Sequence, residues 1–134
     1  MSTGFPYEGF PMVAPFWADV DIGRNRNEYL GHVWKKVISD HKFAVAWDHV
    51  GYYYRQSNLE NTFMVMISDG TDPSMGIGIN GKYNNVCFCY ESMEWTTGDF
   101  TSENNDGFGG TAATAGANKG DGEYFFPFGR FNGK

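Results

Sequence analysis

Apolar and polar side chains alternate every second residue through much of this chain, the period of a strand that buries one face. The run "NTFMVMISDG", residues 61–70, is the clearest case, a β-favouring stretch closed by an Asp-Gly turn. In "NNVCFCYESMEW", Val86, Phe88 and Tyr90 fall on one side and Cys87, Cys89 and Glu91 on the other. Neither side turns polar before Glu91, which predicts a central strand covered on both faces. The same reading places strands at residues 13–20, 29–39, 43–48, 61–68, 74–79, 85–94, 114–117 and 123–126. The segment "EYLGHVWKKVISDH" also admits a helical period through Leu30, Val33, Trp34 and Val37, but Gly31 and the β-branched residues favour strand.

Pro6, Pro11 and Pro15 with Gly4 and Gly9 predict an extended N-terminal arm over residues 1–12. Residues 98–113 read as a long Gly/Asn/Asp loop with Phe108 as its aromatic anchor. The expectation is one all-β domain over residues 1–134, a β-sandwich of two packed, mainly antiparallel sheets with long Gly/Asn-rich loops. Trp17, Trp47, Phe63, Val65, Phe88 and Trp95 are its expected core.

Composition narrows the function. Aromatic residues make up 18% of the chain, more than a core of this size needs, so rings are expected at an interface as well. Ten Lys and Arg against sixteen Asp and Glu give a net charge of −6. The basic residues are scattered, so no phosphate-tracking stripe exists and nucleic acid is not an expected partner. No apolar run approaches the roughly 20 residues of a membrane-spanning helix, and membrane insertion is not expected.

Candidate chemistry starts at "VAPFWADVD", where Asp19 and Asp21 stand two apart behind Trp17. In a strand that spacing puts two carboxylates ~6.5–7 Å apart on one face. Three readings follow: acceptors for turn amides, a calcium pair extended by Asn25 and Asn27, or an acid–base pair. Turn capping is favoured, because Arg24 and Arg26 oppose a cation and nothing supplies a cleft that raises a carboxylate pKa. His32, His41 and His49 lack the close spacing of metal ligands. The "GIGING" run lacks the following helix of a dinucleotide site. Cys87 and Cys89 share a strand face at the edge of disulfide reach and are read as free thiols. With no nucleophile beside a base, no hydrolytic site and no cofactor are expected.

The order of "VAPFWADVD", "FAVAWDHVGYY", "NTFMVMISDG", "NNVCFCYESMEWTTGD" and "GFGGTAATAGANKGDGEYFF" resembles the extracellular domain family named after nidogen (NIDO), over about residues 13–126. The resemblance implies an extracellular, non-enzymatic β-rich module of cell–matrix or protein–protein adhesion and assembly, with no catalytic residues to carry over. It implies an architectural role for Phe16, Trp17, Asp19, Asp21, Trp95 and Asp121, with Asp19 the less exposed carboxylate and an acceptor for backbone amides. Here only "KKVISDHK" separates two strands between which many members insert a longer segment. The expected partners are extracellular proteins or glycans, or a second copy of the chain. Tyr52, Tyr53, Tyr54, Phe125 and Phe126 are the candidate interface. The alternatives are a carbohydrate-binding module assisted by calcium at Asp19 and Asp21, and a self-assembling subunit of an extracellular fibre.

Overall fold

The computed structural model describes residues 4–25, 28–29, 31–97, 107–109 and 111–131. Its strands are β1 (Met12–Trp17), β2 (Val20–Asp21), β3 (Arg24–Asn25), β4 (Glu28–Tyr29), β5 (His32–Ser39), β6 (Lys42–Tyr52), β7 (Gln56–Ser68), β8 (Val86–Met93), β9 (Thr114–Asn118) and β10 (Phe125–Arg130). A five-stranded antiparallel sheet runs β2-β6-β7-β8, with β5 pairing the other half of β6. A three-stranded antiparallel sheet, β1-β9-β10, packs against it, and β3 pairs β4 as a small ribbon. The sandwich expected from the alternation is therefore present. Among the described residues no helix is long and apolar enough to cross a membrane.

The core forms where β1 lies over β7. Phe16 sits 5.3 Å from Phe63, 5.0 Å from Trp95 and 5.0 Å from Phe131 by ring centroids, and Val50, Tyr52 and Ala113 close the cluster. Tyr90 ties the two sheets together by donating its hydroxyl to the Pro15 carbonyl at 2.6 Å. Burial holds the Tyr90 phenol in its neutral form, pushing its pKa up to about 12.

Several expectations are corrected here. Residues 74–79 form no strand: Asp72 accepts the Ser74 amide at 2.8 Å and starts a single 3₁₀ turn, Pro73–Met75. Beyond it, Ile77 and Ile79 point outward. β8 is not central, since it pairs β7 alone among the described strands and forms a sheet edge. On its outward side Cys87 and Cys89 are half-buried and Glu91 is exposed. The last strand starts at Phe125, not 123, because Asp121 takes the amides of Glu123 and Tyr124 into a turn.

Phe63, Val65 and Trp95 are buried as expected, but Trp17, Trp47 and Phe88 are half-buried. The smaller sheet covers only part of the larger one. Trp47 stacks on Phe63 near its margin, and Trp17 is shielded by Tyr7 and Phe10 from the arm. That arm is docked: Asn118, 5% exposed, accepts the Tyr7 amide at 3.0 Å and donates to the Tyr7 carbonyl at 2.8 Å. Residues 1–3, 98–106 and 110, including most of the expected long loop, lie outside the described residues.

Candidate functional site

The opening aspartates lie where β1 has ended. Two short backbone bonds, Ala18 N–H to Phe16 O and Val20 N–H to Ala18 O, both 3.1 Å, bend the chain between β1 and β2. Asp19 and Asp21 are both half-buried and line one open cleft of ≈ 710 Å³ with Tyr53, Tyr54, Arg55 and Gln56. Asp21 accepts two turn amides. Its Oδ1 accepts the Gly23 amide at 2.6 Å and its Oδ2 accepts the Arg55 amide at 3.0 Å.

The second bond explains why a carboxylate stands there. Tyr54 and Arg55 join β6 to β7 with φ of 67° and 59°, left-handed values at two consecutive non-glycine residues. Such residues cost roughly 1–2 kcal/mol each in that region, and a charge-assisted bond to the turn amide offsets part of that cost. Asp21→Ala is expected to lower unfolding free energy by about 2–3 kcal/mol in urea titration. Asp21→Asn, which keeps one acceptor, should lose less. Equal stability of all three proteins would mean that the turn holds without the carboxylate.

Asp121 repeats this device. Within Gly120–Gly122 it pairs with Lys119 at 2.8 Å and accepts the Tyr124 amide at 2.8 Å and the Glu123 amide at 3.0 Å. The Lys119 ammonium, then those amides, hold its carboxyl well below the usual range. The Asp121 backbone also pairs with that of Glu8 in an isolated antiparallel β-bridge, fastening the arm to the turn. Trp95 is wholly buried and donates its indole N–H to the Val50 carbonyl at 3.1 Å. Phe16 is core. Phe16 and Trp95 thus lie in the core, and Asp21 and Asp121 each accept turn amides.

The candidate interface divides. Tyr52 is 1% exposed, hydrogen-bonded to Asn58 and packed on Trp95, which removes it from any surface. Tyr53 is half-buried, and Tyr54 is exposed at the cleft mouth. Phe125 and Phe126 are exposed on β10 beside Tyr124 and Phe128. Between β10 and β8 runs an apolar groove of ≈ 480 Å³, walled by Val86, Phe88, Tyr90, Phe128 and Phe131. Both of its banks are sheet edges.

A polar cluster at the far end of β6 escaped sequence reasoning. Lys42 lies 2.8 Å from Asp72 and donates to Ser74 Oγ at 2.6 Å, while His41 Nδ1 lies 2.6 Å from Asp69. Lys42 and Ser74 draw the Asp72 carboxyl down to about 2. Ser74 gives its own hydroxyl hydrogen to Asp72, and an ammonium that donates to an oxygen does not deprotonate it. The cluster therefore closes a turn and presents no activated nucleophile. Its signal was the Asp72-Pro73-Ser74 capping sequence.

A family model described as the nidogen-like domain matches residues 28–133. Alpha-tectorin of Homo sapiens is 32% identical over 152 residues, covering 91% of this chain, and alpha-tectorin of Mus musculus is 30% identical over the same span. The chain spans 6% of the length of each. No solved structure matches the chain.

Proposed function

We propose that this chain, which belongs to the nidogen-like domain family, is a non-enzymatic extracellular recognition module that joins matrix or cell-surface proteins through the aromatic strand β10. The observation that carries this reading is the exposure of Tyr124, Phe125, Phe126 and Phe128 together on one sheet edge, at 63%, 42%, 63% and 58%. Phe126 and Phe128 touch at 5.0 Å between ring centroids, and with Tyr124 and Phe125 they put large apolar surface in water along one sheet edge, the kind of exposure that marks an interface. Pro127 lacks an N–H, so β10 is a poor template for adding a whole partner strand. Its side chains, with the adjoining groove, carry the contact instead. The family and the alpha-tectorin similarity support an extracellular setting.

The test is binding of the immobilised domain to purified matrix proteins and to cells. Phe125→Ser with Phe126→Ser is expected to weaken binding at least about tenfold while thermal unfolding stays within a few degrees. Undiminished binding by that variant would reject β10 as the interface. A glycan reading rests on a different feature, the Asp19–Asp21 cleft with Tyr53 and Tyr54. Asp21 already spends both oxygens on amides, so an ion there would have to share them. A glycan array with and without calcium, repeated on Tyr54→Ala, separates the two readings.

A further inference from the structure

The outward face of the five-stranded sheet brings together four sulfur side chains that lie far apart in sequence. In the β7–β8 register, Met64 stands opposite Cys89 and Met66 opposite Cys87. Directly opposed residues of an antiparallel pair share a face, with side chains in contact range. Cys87 Sγ and Cys89 Sγ are 3.8 Å apart. All four side chains are half-buried, reachable from solvent yet held by the sheet. On the next strand, β6, Ala46 pairs Met64 and Ala44 pairs Met66, so small residues leave room above the sulfurs. A small pocket of ≈ 220 Å³ opens beside one pair of these sulfurs, Met64 and Cys89, lined also by Ala46, Thr62 and Glu91.

We propose that this face is a binding site for one soft monovalent metal ion of the Cu(I) class, held by the thiolates of Cys87 and Cys89 and the thioethers of Met64 and Met66. Thiolate and thioether sulfur together select such an ion over harder cations. Zinc takes thiolate, imidazole and carboxylate donors, and a thioether is a poor substitute. Calcium and magnesium need six or more oxygens, against one carboxylate, Glu91, on the pocket rim. With metal–sulfur bonds of roughly 2.3 Å, two sulfurs 3.8 Å apart subtend an angle of about 110° at the ion. That bend leaves coordination positions open, and Met64 and Met66, opposite in register, are the donors assigned to them. Binding involves no change of oxidation state: two S–H bonds break, two metal–thiolate bonds form, and two protons leave to solvent.

The test is anaerobic titration of the reduced, folded chain with Cu(I) against a chromogenic Cu(I) chelator, with native mass spectrometry for stoichiometry. One ion per chain is expected, with binding abolished in Cys87→Ser/Cys89→Ser. Met64→Leu/Met66→Leu conserves volume and should fold normally by circular dichroism, and it should bind at least about tenfold more weakly. The urea-unfolded chain, with the same thiols but no register, should also bind more weakly. Equal affinity in the leucine variant or in the unfolded chain would overturn the proposal, leaving an unorganised dithiol. So would a native chain lighter by two hydrogens that takes up no ion, since the cysteines would then be joined to each other.

Discussion

Truncating Trp95 to alanine is expected to cost about 5 kcal/mol of folding free energy, measured by equilibrium urea unfolding. The side chain is fully buried, packs edge-on against Phe16 at 5.0 Å and lies tilted against Tyr52 at 5.7 Å. Its removal opens a cavity that the surrounding rings cannot refill and orphans the Val50 carbonyl. Domains of this kind are stable by roughly 5–15 kcal/mol, so the variant should stand at the edge of folding and lose its near-ultraviolet aromatic signal. Trp95→Phe keeps most of the volume and should lose closer to 2 kcal/mol, mainly through the orphaned carbonyl. A loss below about 2 kcal/mol for alanine would show that the core repacks and that Trp95 is not its keystone.

The second large effect is at Asn61, which is wholly buried at the β7 end of the same cluster. Its amide nitrogen donates to the Trp95 carbonyl at 2.9 Å, and its oxygen accepts the Glu94 and Trp95 amides at 2.7 and 3.1 Å. One side chain thus satisfies three backbone groups where the chain leaves β8. Alanine there removes every one of those bonds, and at roughly 1–3 kcal/mol per buried unsatisfied group the expected loss is about 4 kcal/mol. Asn61→Asp retains the two acceptor bonds but sets a carboxylate against the Trp95 carbonyl, so it should be destabilised as well, more strongly at neutral pH than in acid. Because Asn61 and Trp95 act on one segment, the double alanine variant should lose less than the sum of the singles. Strict additivity would mean that the polar clamp and the ring stabilise the core independently.

Neither residue's partnership was visible in advance, although both lie in stretches whose strand character was plain. Asn61 begins the best strand in the sequence and reads there as a polar start before "TFMVMIS". Nothing local says that its amide meets a backbone 34 residues away. Asn118 is the same case at greater range, closing on Tyr7 across 111 residues. Tyr52 shows the opposite error. In "GYYYR" three tyrosines look alike, and strand pairing with bulges sends one into the core and leaves another 65% exposed.

What alternation and turn chemistry carry, the chain declares on its own: strands, the all-β class, and Asp and Gly at turns. These are signals within a few residues, set by side-chain periodicity and backbone sterics. The tertiary fold alone decided which edges stay open, which distant turn amide Asp21 accepts, and which residues meet across strands. Register is the physical reason. It is fixed by turn geometry and bulges, such as those between Trp47 and Val50 and between Thr62 and Phe63, and a one-residue slip reverses every face. The sulfur quartet exists by that register: "MVM" and "CFC" are unremarkable apart, and a site appears only when β7 and β8 set them opposite each other.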